Sequence, residues 1–149
     1  MPRVRRGQVA FSVFYFSRRE QTMKIREAID KANNAKPNQI DEDLMVRWLY
    51  QLDSDIKENI IDIHNYNDGE EEIVLGDYTD DQQELIVPMP YDEVYVDYLK
   101  MQIDKANDET ARYNNSAIFF NDSYTRFSKF WNKHHMPKGS RSRQGKTHF

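Results

Sequence analysis

From Tyr91 to Met136 the chain contains neither glycine nor proline, and no other stretch constrains the fold as strongly. Pro88 and Pro90 precede it and Pro137 follows it. Along it Tyr95, Leu99, Ala106, Tyr113, Ala117, Phe120, Tyr124, Phe127 and Trp131 recur in threes, fours or their sums. That spacing lays one apolar stripe along a helical face. Unbroken, such a helix runs roughly 60–65 Å. A domain of this size does not need that length, so the helix either breaks or serves an assembly. Asn114, Asn115 and Ser116 are its weakest point, because their side chains compete with the helical backbone. Two consecutive helices, or one helix kinked at Asn114–Ser116, are expected.

Two earlier segments also read as helices. Ile25, Ala28, Ile29 and Ala32 form one face of the first, with Thr22 as its expected cap and Lys36-Pro37-Asn38 as its stop. The second starts at Asp41, a good N-cap followed by Glu42 and Asp43, where the helix dipole favours acids. Its apolar face is Met45, Trp48, Leu49, Leu52, Ile56, Ile60 and Ile63, and it should end near His64. Residues 66–90 hold two short apolar runs, Ile73–Leu75 and Leu85–Val87. These either pair as a small hairpin or pack as extended pieces over the helices. The fold class expected is mainly all-α: a small helical bundle with a long C-terminal helix and an irregular or hairpin insertion at 66–90. Its core should bring Trp48, Leu52, Ile56 and Ile60 against Tyr95, Leu99, Ile103, Ala106, Tyr113 and Phe120.

The two ends differ from this centre. Residues 1–22 carry five arginines and one acid, then the apolar run Val9–Phe16, a strand-like piece with no neighbouring partner. Arg18-Arg19-Glu20 before Met23 matches an in-frame reading of a purine-rich ribosome-binding site. Residues 1–22 are therefore expected to be an extension outside the core, with a helical domain over 23–136. From Pro137 the composition turns to Gly, Ser, Arg, Lys and Gln, the signature of a flexible basic tail over 137–149.

A net charge of -4 conceals a segregation. Between Asp41 and Glu93 stand seventeen acids and two bases, Arg47 and Lys57. After Asp122 there are no acids and seven bases: Arg126, Lys129, Lys133, Lys138, Arg141, Arg143 and Lys146. These seven are the candidate partner or ring contacts, either as a solvated basic end or as the end that meets a neighbour's acidic middle. Hydrophobic content is 38% and aromatic content 13%, so a thin core is rich in large rings, part of which would be buried against a partner.

Catalytic signatures are missing from the sequence. Cysteine is absent, which removes disulfides, thiol nucleophiles and Cys-based zinc sites. His64, His134, His135 and His148 form no pair at metal-binding helical spacing, and the acids around Gly69 do not match a calcium loop. No phosphate loop or nucleophile elbow occurs. No enzyme, cofactor or metal site is expected. No apolar run approaches the ~20 residues that span a bilayer.

The runs Ile25–Asp30, Lys36–Gln39, Arg47–Asp53, Leu85–Glu93, Tyr113–Ser116 and His135–Gly139 together resemble head–tail connector, or adaptor, proteins. These are encoded among the neck genes of tailed phages and prophages of Gram-positive bacteria. The resemblance spans about Met23 to Gly139. It implies a structural virion protein of the neck, present in the host cytoplasm during assembly. Such a protein forms a homo-oligomeric ring, typically a dodecamer, on the portal protein. It extends the channel through which packaged DNA passes without sequence-specific binding, and it docks stopper or tail components, with no membrane involved. Two other readings stand beside it: a tail-completion or other minor phage structural protein, and a regulatory protein binding nucleic acid through its basic C-terminus.

Overall fold

The computed structural model describes Thr22–Gly139. In order the elements are β1 (Thr22–Lys24), α1 (Ile25–Ala35), α2 (Glu42–Ile56), a π-turn (Lys57–Ile61), β2 (Glu84–Pro88), α3 (Glu93–Ala106) and α4 (Thr110–His134). The protein is thus mainly helical, with one small antiparallel sheet. The expected extension over 1–22 lies outside the described residues except for Thr22.

That sheet pairs Thr22 with Pro88 and Lys24 with Glu84. Leu85–Val87 therefore takes its partner from the residues before α1, while Ile73–Leu75 stays irregular with Ile73 buried. The pairing also corrects the expected cap of α1. Thr22 lies in β1, where its hydroxyl donates to Glu84 Oε1. Lys24 precedes α1 without a side-chain cap. The first helical N–H groups are satisfied instead by the opposite chain: Ile25 N–H donates to Gln83 O at 3.0 Å and Arg26 N–H to Asp81 O at 2.8 Å.

Helix α2 begins as its sequence indicates, with the Asp41 side chain accepting from Asp43 N–H. Its far end departs from simple periodicity. Asp62 N–H bonds Lys57 O, five residues back, so the π-turn adds one residue to the helical repeat. Ile61 and His64 rotate inward as a result, and Ile63 stands 52% exposed on the face where α-helical spacing would bury it.

The C-terminal stretch breaks into two helices, at Asn107–Glu109 rather than at Asn114–Ser116. Asp108 adopts φ +59. Its N–H bonds Lys105 O and the Glu109 N–H bonds Asp104 O, the paired bonds of a Schellman motif with Asp in the usual glycine position. Asn114 and Asn115 lie exposed in an uninterrupted α4, and Ser116 is buried with its hydroxyl bonded to Asp104 Oδ2 at 2.6 Å. Seven residues on, the Ser123 hydroxyl donates to Asp97. Two Ser–Asp rungs at one heptad spacing thus register α4 antiparallel to α3.

The main core holds Ile25, Ile29, Met45, Leu49, Leu52, Ile56, Ile60, Tyr95, Leu99 and Ile103. The expected partners Trp48, Tyr113 and Phe120 are half-buried, and Ala106 is exposed at the end of α3. The same core continues through Phe127 and Trp131, with Tyr91 and Phe130 packed against it and stacked on each other at 4.6 Å. The chain then returns to the π-turn: Lys138 N–H donates to Ile63 O, Asn65 N–H to Met136 O, and Pro137 bridges His64. The first residues of the expected tail are therefore paired with the bundle. Among the described residues no helix is long and apolar enough to cross a membrane.

Two stability outcomes follow from this packing. Ile56 is 0% exposed, so Ile56→Ala should cost about 2–5 kcal/mol in denaturant titrations. Asp108→Gly should instead stabilise by up to about 1 kcal/mol, because glycine takes a left-handed backbone without the steric cost that aspartate bears. A destabilised Asp108→Gly would show that the aspartate side chain supports the turn.

Candidate assembly surfaces

Asp53 is wholly buried on the inner face of α2, four residues after Leu49 and three before Ile56. Its carboxylate accepts from Tyr78 OH at 2.5 Å and Tyr95 OH at 2.6 Å, and from the backbone of Ile86. Tyr95 OH in turn accepts the Val87 N–H at 2.7 Å. One carboxyl thus joins α2, α3, β2 and the loop before β2. Burial pushes it up to about 7, against the hydrogen bonds that pull it down. Burial, and then the neighbouring Asp53 charge, hold both Tyr78 and Tyr95 above the usual phenol range.

Tyr78 carries the effect outward. Its φ of +56 is unusual for a bulky side chain and costs roughly 1–3 kcal/mol. The contacts on either side of it hold that conformation. Its hydroxyl reaches Asp53, its N–H donates to Gln83 Oε1 at 2.8 Å, and its ring meets Tyr50 edge-on at 5.2 Å. Gly76 leaves the space that the Gln83 side chain fills, since a Cβ there would lie 2.6 Å from it. This arrangement fixes residues 76–81 as one wall of an open cleft of about 970 Å³.

The opposite walls come from α1 and the first half of α2. Arg26 sits among them as a clamp. Its guanidinium makes two bonds to the Glu42 carboxylate at 2.8 and 3.0 Å, one to Asp30 at 3.1 Å and one to Asp81 at 3.3 Å. The hydrogen bond to Glu42 raises the Arg26 guanidinium further and lowers Glu42. Asp43, Asp77 and Asp80 remain on the rim with Arg47 and Tyr50. Among the described residues none of these three acids forms a salt bridge.

The basic end occupies a different surface. Arg126, Lys129 and Lys133 lie on the outward face of α4, all exposed. Arg126 pairs with Asp122 one turn back at 3.3 Å, and Lys129 and Lys133 form no salt bridge among the described residues. Beside them Ile118 and Phe119 are each 65% exposed. Lys138 is exposed where the chain pairs with Ile63. Arg141, Arg143 and Lys146 lie outside the described residues. The structure therefore brings three of the seven candidate bases onto one helical face.

His135 has the structural role that the sequence reading allows for its histidines, and its partners are Trp131 and Glu70. It stacks on Trp131 with ring centroids 3.7 Å apart, and its Nδ1 faces Trp131 O and its Nε2 faces Glu70. Among the described residues no group of three or more His, Cys, Asp or Glu is placed to hold a metal ion. No family model matches the chain, nor does any curated protein or solved structure.

Asp53 sets a pH dependence. Its folded value near 7 exceeds the ordinary value of 3.8, so folding takes up a proton between those limits. The stabilisation is complete below about 4 and is lost as pH rises through about 7. Asp53→Asn removes the titration. The stability of the native chain relative to Asp53→Asn should fall between about pH 4 and 7 and level off above. A flat difference would place a charged Asp53 in both states.

Proposed function

We propose that this chain is a non-enzymatic structural protein of the phage neck: a head–tail connector that assembles as a ring on the portal. The observation that carries the reading is the separation of an acidic cleft from a basic helical face on one small helical protomer. Two unlike surfaces that meet between copies make a heterologous contact, which either closes into a ring or runs on as a filament. A portal supplies the rotational symmetry that selects closure. The exposed Ile118 and Phe119 fit a surface that is covered in an assembly.

In that role the protomer works by geometry. The Ser–Asp rungs hold α3 and α4 as a rigid antiparallel pair, and a fixed angle between protomers requires such rigidity. The ring extends the DNA channel beneath the portal and offers its far side to stopper or tail proteins. DNA passes through without base-specific contacts. The chain resides in the host cytoplasm until it joins the virion neck.

Purified chain mixed with portal-bearing, DNA-filled heads should co-sediment with them and should not bind heads lacking portal. Replacing Lys138, Arg141, Arg143 and Lys146 with Gln should weaken that retention as the ionic contacts are lost. A chain that never sediments with portal-bearing heads would contradict the reading.

A further inference from the structure

The outward face of α4 carries exposed apolar and basic side chains that the packing of the protomer does not use. Its inward side is filled by Ser116, Ser123, Phe127 and Trp131. Outside, Ile118 and Phe119 are adjacent, and both are too exposed for residues of their size. Phe119, Arg126 and Lys133 follow one another at seven-residue intervals, so they lie along one line of the helix over roughly 21 Å. Lys129 and Lys133 stand one turn apart on that face, with no salt bridge among the described residues.

The cleft supplies a complement, with five acids against Arg26 and Arg47 in its lining. It is open, its rim acids Asp43 and Asp77 lack basic partners among the described residues, and the ring of Tyr50, 45% exposed, stands among them. Arg26 already shows how its inner acids hold a cation, with Glu42 and Asp81 engaged and the rim left over. No residue of α4 lines the cleft, so the α4 face and the cleft do not meet within one copy.

We propose that the outward face of α4, with Phe119 as its apolar end and Lys129 and Lys133 as its charges, docks into the acidic cleft of a second copy of this chain, against Tyr50, Asp43 and Asp77. The pairing rests on the reading of the chain as a ring-forming neck protein and names the surfaces that make the ring. The aromatic contact excludes water at one end, and the charges set partner and register. Repetition of the same contact uses one cleft and one α4 face per copy, which leaves the turn at Asn107–Glu109 and the two chain ends for portal and tail partners.

Charge reversal in two separate variants tests it. K129E/K133E and D43K/D77K leave Glu42 and Asp81 to hold Arg26. Because Asp43 stands in the first turn of α2 and Asp77 accepts from the Thr79 hydroxyl, the thermal melt of D43K/D77K is compared with that of the native chain to show that its fold is kept. Sedimentation velocity at low and physiological salt should show concentration-dependent association of the native chain. Each variant alone should associate at least about tenfold more weakly, and an equimolar mixture of the two should recover association. Because the chain has no cysteine, F119C mixed with Y50C provides an independent readout: a disulfide-linked dimer forms only if the two positions meet. A native chain that stays monomeric at its highest soluble concentration and gives no F119C–Y50C cross-link overturns the proposal. So does a mixture that associates no better than its parts, or a K129E/K133E defect seen only in retention of duplex DNA. Head binding separates this from the parent reading. Native self-association through this contact without head binding would refute the neck role and leave the contact standing. Normal head binding by both variants with no mutual rescue would do the reverse.

Discussion

The Asp53 carboxyl is the interaction on which the remaining structure depends. A buried carboxylate is tolerated only when its oxygens are well occupied, and here two phenols and a backbone N–H occupy them. Each donor comes from a different part of the chain. Tyr95 fixes the rotation of α3 against α2, Ile86 and Val87 fix β2, and Tyr78 fixes the cleft wall. The Tyr95 hydroxyl also accepts the Val87 N–H, so its loss would leave a buried donor unpaired as well as the carboxylate short of a partner. A purely apolar junction would fill the same volume without specifying these four orientations.

The same principle recurs between α3 and α4. Asp97 and Asp104 bind Ser123 and Ser116, and Asp104 also takes Lys36 Nζ at 3.2 Å from the end of α1. These polar rungs set the register of a helix pair whose apolar contacts, mostly large rings, would tolerate sliding. Tyr124 completes the arrangement by donating to Asp55 near the end of α2. Rigidity in this protein therefore comes from a thin apolar core crossed by a few satisfied carboxylates. That suits a chain with 38% hydrophobic residues and a mean hydropathy of -0.92.

Apolar periodicity in the sequence revealed most of the helices and most of the core: the α1 face, the Asp41 cap, and Leu49 through Ile60 were all legible. What was not legible depended on contacts distant in the chain. Thr22–Lys24 has no local strand signal, and only the approach of Glu84–Pro88 makes it one. The break at Asn107–Glu109 escaped notice because Asp in the left-handed position replaces glycine, while Asn114–Ser116 drew attention as poor helix formers and proved harmless. The π-turn shifted a hydrophobic pattern by one residue, which an α-helical repeat cannot anticipate. For the candidate site, charge segregation pointed to the basic α4 face and the acidic middle, yet the cleft itself needed Tyr78 and Asp53. An acid four residues after Leu49 on an apolar face was the available signal.

Amide hydrogen exchange in Tyr78→Phe tests most directly whether the buried carboxyl holds the cleft wall. The substitution keeps the ring and removes only the hydroxyl bonded to Asp53. Exchange should accelerate at the amides of Ile25, Arg26, Tyr78 and Gln83, whose N–H groups bond within or onto residues 76–83. The amides of α3 and α4 should keep their protection, because the Ser–Asp rungs and the Tyr95 bond remain. Unchanged exchange at those four amides, or a uniform loss of protection across the bundle, would show that the cleft wall is held by something other than Asp53.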